Sequence, residues 1–241
     1  MSGTAETTLD GIRDVKVYQN RDGYRFSVDA VLLYDFVNVR HAGTIIDLGA
    51  GSGIIGLLLA KKYPEARIHL AELQETLFRL EKRNIELNNM GERVEAILTD
   101  IRNIRGSLPA MSYDLVVSNP PFRKSTSGLL SLGEERAAAR HELSLTLPEL
   151  VEAAAYLVKP GGRFFMIYHP ERLAEVFHEF KRNRLEPKRI RFVHNNAAAV
   201  SKMVLIEASI AGRTGLKIEP PLFVYDGSGA YTDELKAVFE V

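Results

Sequence analysis

Two short segments hold residue types whose spacing suits chemistry. The first is Asp47-Leu48-Gly49-Ala50-Gly51-Ser52-Gly53, three glycines in alternation behind an acid. The second is Asn119-Pro120-Pro121-Phe122, directly after Leu115-Val116-Val117-Ser118. Glycine adopts positive φ at no steric cost and lets a backbone approach a ligand closely. Proline fixes φ at about −65° and has no N–H, and the residue before it is held extended. Asn119 is therefore presented stiffly, and its side-chain oxygen and the Pro120 carbonyl make two adjacent acceptors. That pair suits a planar NH2 group whose lone pair is delocalised into a ring or carbonyl. Accepting both N–H bonds frees the lone pair to attack, and acceptors fixed beforehand stabilise the charge that develops. Phe122 adds a face on which a planar group stacks, worth about 1–3 kcal/mol for a nucleic-acid base.

These segments need strand ends to hold them, and the pattern supplies the strands. Residues 44–48 read as a strand, followed by helical apolar spacing over 54–62. Residues 67–71 precede a helix over 74–89; 94–98, 113–117 and 163–168 are further strands, with a helix over 147–158. Such alternation implies a parallel sheet covered on both faces. Residues 189–194 and 202–209 have no helix between them and predict an antiparallel hairpin closing the sheet edge. Upstream, residues 15–18 and 24–26 flank Asn20-Arg21-Asp22-Gly23, a hairpin signal, and Ser27 is placed to cap a helix reaching Asn38. The tail from Gly212, with Pro220-Pro221 and Gly227-Ser228-Gly229, reads as an extended surface wrap before a short last helix. The expected organisation is one α/β domain: a hairpin and helix cap (1–40), a core (41–210) and a wrap (211–241).

The chain of 241 residues is 46% hydrophobic and 26% charged, an ordinary globular balance. Thirty-one basic and 31 acidic residues cancel, so any nucleic-acid-binding patch must be local. The absence of cysteine excludes disulfides, thiolate zinc sites and a cysteine nucleophile. The N-terminal MSGTAETTLDGIRD has no apolar signal-peptide core, and no run approaches the ~20 apolar residues of a membrane span. The expectation is a cytoplasmic protein with no metal and no membrane partner.

The glycine turn admits two cofactors. Gly51-Ser52-Gly53-Ile54-Ile55-Gly56 fits the dinucleotide fingerprint, with Glu72 where a ribose-binding acid belongs. A dinucleotide places pyrophosphate at this turn, where Asp47 would repel it. S-adenosylmethionine carries no phosphate but a sulfonium and an ammonium, which acids at strand ends favour. Asp47 therefore points to S-adenosylmethionine.

The acid-fronted glycine turn, Glu72 after the second core strand, Asp100 after the third and Asn119-Pro120-Pro121-Phe122 after the fourth together resemble the class I S-adenosylmethionine-dependent methyltransferases. The resemblance implies a Rossmann-like fold with a seven-stranded, mostly parallel sheet in the order 3-2-1-4-5-7-6. It implies cofactor contacts from Asp47, Gly49, Gly51 and Gly53, with Glu72 on the ribose hydroxyls and Asp100 on the adenine amine. Capping of the following helices is the plainer role for either acid. The N-P-P-[FY] motif resembles that of the amino-methyltransferases, acting on adenine N6, guanine N2 or a protein glutamine. Residues 23–33, the segment Arg136 to Glu142, and the tail motifs Glu219–Tyr225 and Tyr231–Glu234 look like the bacterial enzymes that methylate adenine N6 beside the anticodon of a valine tRNA. That family's upstream helix lies over the cofactor, making Phe26 and Asp29 candidate cofactor residues.

The expected substrate is thus a tRNA adenine and the expected product S-adenosylhomocysteine. Glutamine N5 and rRNA guanine N2 are alternatives, and a non-catalytic RNA-binding module is the alternative from another class. Residues 123–145 form a long connection, and Arg123, Lys124, Arg136 and Arg140 are placed to meet phosphates. A second basic run, 181–191, is a further candidate for RNA contact. His141 reads as structural, since the amine can lose its proton after transfer.

Overall fold

A computed structural model describes residues 7–20, 28–120 and 145–240. In chain order these form β1 (Thr7–Ile12), β2 (Val15–Asn20), α1 (Val28–Phe36), β3 (Thr44–Leu48), α2 (Ile54–Lys62), β4 (Arg67–Glu72), α3 (Glu75–Leu87), β5 (Val94–Leu98) and, after a 3-10 turn, α4 (Ile104–Ser107). There follow β6 (Tyr113–Ser118), α5 (Leu147–Leu157), β7 (Val158–Tyr168), α6 (Leu173–Arg182), β8 (Leu185–His194), β9 (Ser201–Ile210), β10 (Lys217–Ile218), β11 (Leu222–Phe223) and α7 (Asp233–Phe239).

The main sheet runs β5-β4-β3-β6-β7-β9-β8, with β10 and β11 both pairing β8 at the edge. β9 is antiparallel to β7 and β8, and the remaining pairs are parallel. From β3 the chain first builds outward through β4 and β5, then returns to place β6 on β3's other side. That reversal makes β3/β6 the switch point where open α/β sheets bind ligands.

Strand alternation divides the core between the two faces. Ile45, Val117 and Phe165 pack with Leu33 and Leu57 on one face, and Ile46, Val116 and Phe164 with Leu150 and Phe180 on the other. Every residue of α2 from Ile54 to Ala60 is buried, so no polar stripe is needed there. At α5, Thr146 Oγ1 accepts from the Glu149 amide while the Glu149 carboxylate accepts from the Thr146 amide, a capping box that fixes the start of the helix.

Three features depart from the sequence expectation. The sheet has nine strands rather than seven, because the tail contributes β10 and β11 on either side of Pro220-Pro221. Proline is tolerated there because the strands lie at an edge. β2 pairs with β1 through a turn at Arg13-Asp14, with Arg13 at φ 50; the expected partner, 24–26, lies outside the described residues. Helix α6 was not foreseen.

Candidate active site

The glycine turn leaves the carboxyl end of β3 with Gly49, Gly51 and Gly53 at φ 75, 63 and 81. All three lie in the left-handed region that other residues avoid. The turn leans on β4: the amides of Gly49 and Ala50 both donate to the Ala71 carbonyl, at 2.9 and 3.2 Å. Gly56 is needed for a different reason. A Cβ there would meet Leu70 Cδ2 at 2.1 Å, so only glycine lets α2 lie this close to the sheet.

Glu72, buried at the end of β4, accepts from the Gly51 amide at 3.0 Å and from the Gln74 amide at 2.8 Å. One carboxylate thus ties the glycine turn to the start of α3. Asp47 is completely buried, and among the described residues neither of its oxygens has a hydrogen-bond partner. Burial pushes its carboxyl up to about 7; the nearby Gly56 amide opposes this in part, and the Glu72 charge adds to it.

Asp100 caps the 3-10 turn through the Arg102 amide and pairs with the Arg102 guanidinium at 2.6 Å. Those contacts, the Arg102 hydrogen bond first, hold its carboxyl below the usual range against the opposing pull of burial. The capping role is therefore real, and it fixes the acid at the end of β5 beside Glu72, whose carbonyl takes the Thr99 amide.

Asn119 and Pro120 follow β6. Ser118 Oγ donates to the Leu48 carbonyl at 2.8 Å, locking the ends of β6 and β3 together. Val117 is in register with Asp47, so continuing the register sets Asn119 level with Gly49. Adjacent strands are about 4.8 Å apart. Asn119 and the glycine turn thus follow directly from adjacent, hydrogen-bonded strand ends. Pro120 is buried and Asn119 half-buried. Asp29 lies half-buried in the first turn of α1. Phe26, Pro121, Phe122, Arg123, Lys124, Arg136, Arg140 and His141 lie outside the described residues.

Two polar residues on α3 escaped the sequence reading. Glu81 is completely buried behind the glycine turn, its Cγ 3.6 Å from where a Gly53 Cβ would be, and among the described residues neither oxygen has a hydrogen-bond partner. Burial, and then the charges of Glu72 and Asp47, push it up to about 10. Asn84, also completely buried, donates to the Ser52 and Tyr18 carbonyls at 2.9 and 3.1 Å and accepts from the Tyr18 amide at 2.7 Å. One turn later Asn88 repeats the pairing with the amide and carbonyl of Lys16. The two amides line the free edge of β2 as another strand would. A signal was available: both Glu81 and Asn84 fall on the apolar stripe Leu77, Leu80, Ile85.

The second basic run is largely engaged within the fold. Arg189 pairs with Glu207 at 2.8 Å and Glu219 at 3.3 Å and lies over the Phe36 ring, and Arg191 pairs with Glu234 at 2.5 Å. Among the described residues, no cluster of three or more His, Asp or Glu is arranged to hold a metal ion, and no helix is long and apolar enough to cross a membrane.

Residues 26–193 match the model of the methyltransferase small domain. The chain belongs to this family. It is 30% identical over 237 residues to the tRNA1(Val) (adenine(37)-N6)-methyltransferase of Porphyromonas gingivalis, covering 95% of this chain and 92% of that one. Among solved structures it resembles a predicted O-methyltransferase from Agrobacterium tumefaciens, with TM-score 0.71, 23% identity, and coverage of 87% of this chain and 94% of that one. It also resembles a T. thermophilus 16S rRNA N2 methyltransferase in complex with AdoMet and guanosine, at TM-score 0.59, 18% identity, and 85% and 50% coverage. The fold is the Rossmann-like methyltransferase fold, and the chain is an S-adenosylmethionine-dependent N-methyltransferase. The site suits that cofactor: among the described residues, nothing lies within 4 Å of where a Gly49 Cβ would be, and four buried oxygens of the bordering acids Asp47 and Glu81 lack a partner.

Proposed function

We propose that this methyltransferase acts on the exocyclic N6 amine of an adenine in tRNA, the anticodon-loop adenine of a valine tRNA. The observation that carries the reading is the juxtaposition of Asn119 with Gly49 at neighbouring strand ends. On this reading a pair of amine acceptors, Asn119 and Pro120, stands beside the turn proposed to take the methyl donor. The relatives whose names specify this reaction match nearly the whole chain.

In this reading Gly49, Gly51 and Gly53 give the cofactor backbone to rest on. Asp47 faces its cationic end, Glu72 takes the ribose hydroxyls and Asp100 the adenine amine, with Phe26 and Asp29 covering from the α1 side. S-adenosylmethionine supplies a methyl carbon bonded to a positively charged sulfur. Asn119 Oδ1 and the Pro120 carbonyl accept the two N–H bonds of the target amine, so its lone pair turns toward that carbon. Once methylated, the amine would lose its extra proton to solvent, so the chain need supply no dedicated base. Pro121 keeps the motif rigid, and Phe122 stacks on the adenine. An unpaired loop base leaves its stack most cheaply to reach such a site. Arg123, Lys124, Arg136 and Arg140 meet tRNA phosphates, and such a substrate places the enzyme in the cytoplasm.

The test is methyl transfer from labelled S-adenosylmethionine to total tRNA, followed by nucleoside digestion and mass spectrometry. N6-methyladenosine is the expected product. Methylated guanosine, or label appearing only on protein glutamine, would overturn the reading.

A further inference from the structure

We propose that Tyr225 and Tyr231 form a stacking platform for a second unpaired base of the RNA substrate, one that is bound but not methylated. The proposal rests on the tRNA reading above. The two rings lie stacked, with centroids 5.3 Å apart and 20° between their planes, yet they remain 38% and 45% exposed.

Their backbone is held. Tyr225 and Tyr231 pair as an antiparallel bridge, the Asp226 carboxylate accepts the amides of Ser228 and Ala230, and Thr232 Oγ1 donates to the Phe223 carbonyl at 2.7 Å. A ring already fixed in place loses little freedom when a base settles on it.

Topology puts the pair on the substrate side. β11 pairs in parallel with the end of β8, and the Tyr225 amide donates to the Asn195 carbonyl just beyond it. β8 runs parallel to β6 and β7, so this corner shares the sheet end that carries Asn119. Four strand spacings separate β6 from β11, through β7, β9 and β8, about 19 Å, a reach suited to a nucleotide near the target within one loop.

Chemistry selects the occupant. Two rings are far short of the ~800 Å² per partner that a stable protein interface buries, but they match one base face. The nearby acids do not act as unpaired charges facing phosphate: Glu234 pairs with Arg191, Asp233 with Lys236, and Asp226 with its own turn amides. Lys202, exposed on β9, adds a positive charge at the same end of the sheet.

The chain has no tryptophan, so Tyr231→Trp introduces a single fluorophore. Added tRNA should quench its emission with a midpoint matching the KM for tRNA. Tyr225→Leu and Tyr231→Leu should raise that KM about five- to 150-fold, the range for losing one stacked base. kcat and the salt slope should stay unchanged, because stacking releases no counterions. Tyr231→Phe should restore the KM. Emission indifferent to tRNA, or a wild-type KM in both folded leucine variants, overturns the platform; if those variants unfold, the tryptophan emission alone decides. A wild-type protein that methylates no tRNA refutes the substrate reading instead, whereas active wild type with silent tryptophan refutes only the platform.

Discussion

Asp47 on β3 and Glu81 on α3 flank the same glycine turn from different elements, and among the described residues none of their four carboxylate oxygens has a hydrogen-bond partner. Both are completely buried; the Glu72 charge adds to the rise at each, and the Asp47 charge adds further to that at Glu81. A charge buried without a partner is far costlier than a neutral acid. The pair therefore stores protons at neutral pH, Glu81 more firmly than Asp47.

Glu81 should make stability fall with pH. The unfolded chain ionises near 4.5 while the folded group holds its proton up to about 10. The folded state binds more protons across that window, so the contribution is fully present below 4.5 and is lost as pH rises through about 10. By pH 7 the difference amounts to roughly 3 kcal/mol. Glu81→Gln keeps the shape and removes one titration, so between pH 5 and 8 its urea midpoint should decline less steeply than that of the wild type, with Asp47 accounting for the remaining fall up to about pH 7. Parallel midpoints in the two proteins would show that Glu81 does not titrate as described.

Asp47 should make cofactor affinity rise with pH. Its carboxyl sits at about 7 without a ligand, and a cationic cofactor favours the ionised form. S-adenosylmethionine affinity should therefore strengthen as pH rises from 5.5 through 7, by up to tenfold per unit below the midpoint. Asp47→Asn should stay at the weak low-pH level throughout. Calorimetric titrations across that range test this; a wild-type affinity flat with pH would separate Asp47 from the cofactor's charge.

Asn84 should be worth more than an ordinary buried amide, because it serves β2 and the glycine turn together. Asn84→Ala strands the Tyr18 amide, the Tyr18 carbonyl and the Ser52 carbonyl. Orphaned buried groups cost about 1–3 kcal/mol each, so a loss of several kcal/mol is expected, with weaker cofactor binding. Asn88→Ala, whose partners on Lys16 reach solvent, should cost less than half as much. Equal denaturation midpoints for the two variants would contradict this division.

The central strands and α2 were legible because their signals are local. Residues 44–48, 54–62 and 94–98 carry apolar periodicity, and the observed elements have those bounds. β1 was missed because TTLDGI is polar and its turn uses Arg13 rather than a glycine at positive φ. Helix α6 has Leu173, Val176, Phe177 and Phe180 at helical spacing, but its last turn, Lys181 and Arg182, opens the basic run and hides the helix's end in a stretch of charge. The glycine turn and Asn119 could be read as a site because each motif is contiguous. What they share with Glu81 and Asn84 could not, since only folding brings α3 behind the turn. For the same reason the 181–191 run read as free charge: Glu207, Glu219 and Glu234 meet it only in the assembled sheet edge.

That pairing separates the two basic segments experimentally. Arg189→Ala leaves Glu207 and Glu219 short of a partner and should lower the denaturation midpoint, with the salt slope of tRNA binding unchanged. Neutralising Arg123, Lys124 and Arg140 should instead raise the KM for tRNA and flatten its salt dependence, by roughly one unit of slope for each phosphate no longer neutralised. Filter binding between 50 and 200 mM salt, on the order of the range where such charges weigh most, distinguishes them. A flattened slope in Arg189→Ala with the loop variants unchanged would move the RNA-binding surface to the sheet edge.

Asn119 carries the sharpest expectation. It follows β6 beyond the last ladder residue and is only half-buried, so removing its side chain opens no cavity in either core. The neighbouring lock, Ser118 Oγ to the Leu48 carbonyl, remains to hold the strand end. Asn119→Ala should therefore match wild type in thermal unfolding and in S-adenosylhomocysteine affinity. The rate of the methyl-transfer step should fall by about 10²–10³, the scale for deleting one fixed polar group aimed at developing charge. Asn119→Asp separates geometry from bulk: it keeps an acceptor oxygen of the same reach and should retain more activity than alanine. Single-turnover transfer to tRNA at saturating cofactor gives the number directly. A rate within about threefold of wild type for Asn119→Ala, far short of that range, would remove the residue from the reaction and leave the proline carbonyl as the motif's acceptor.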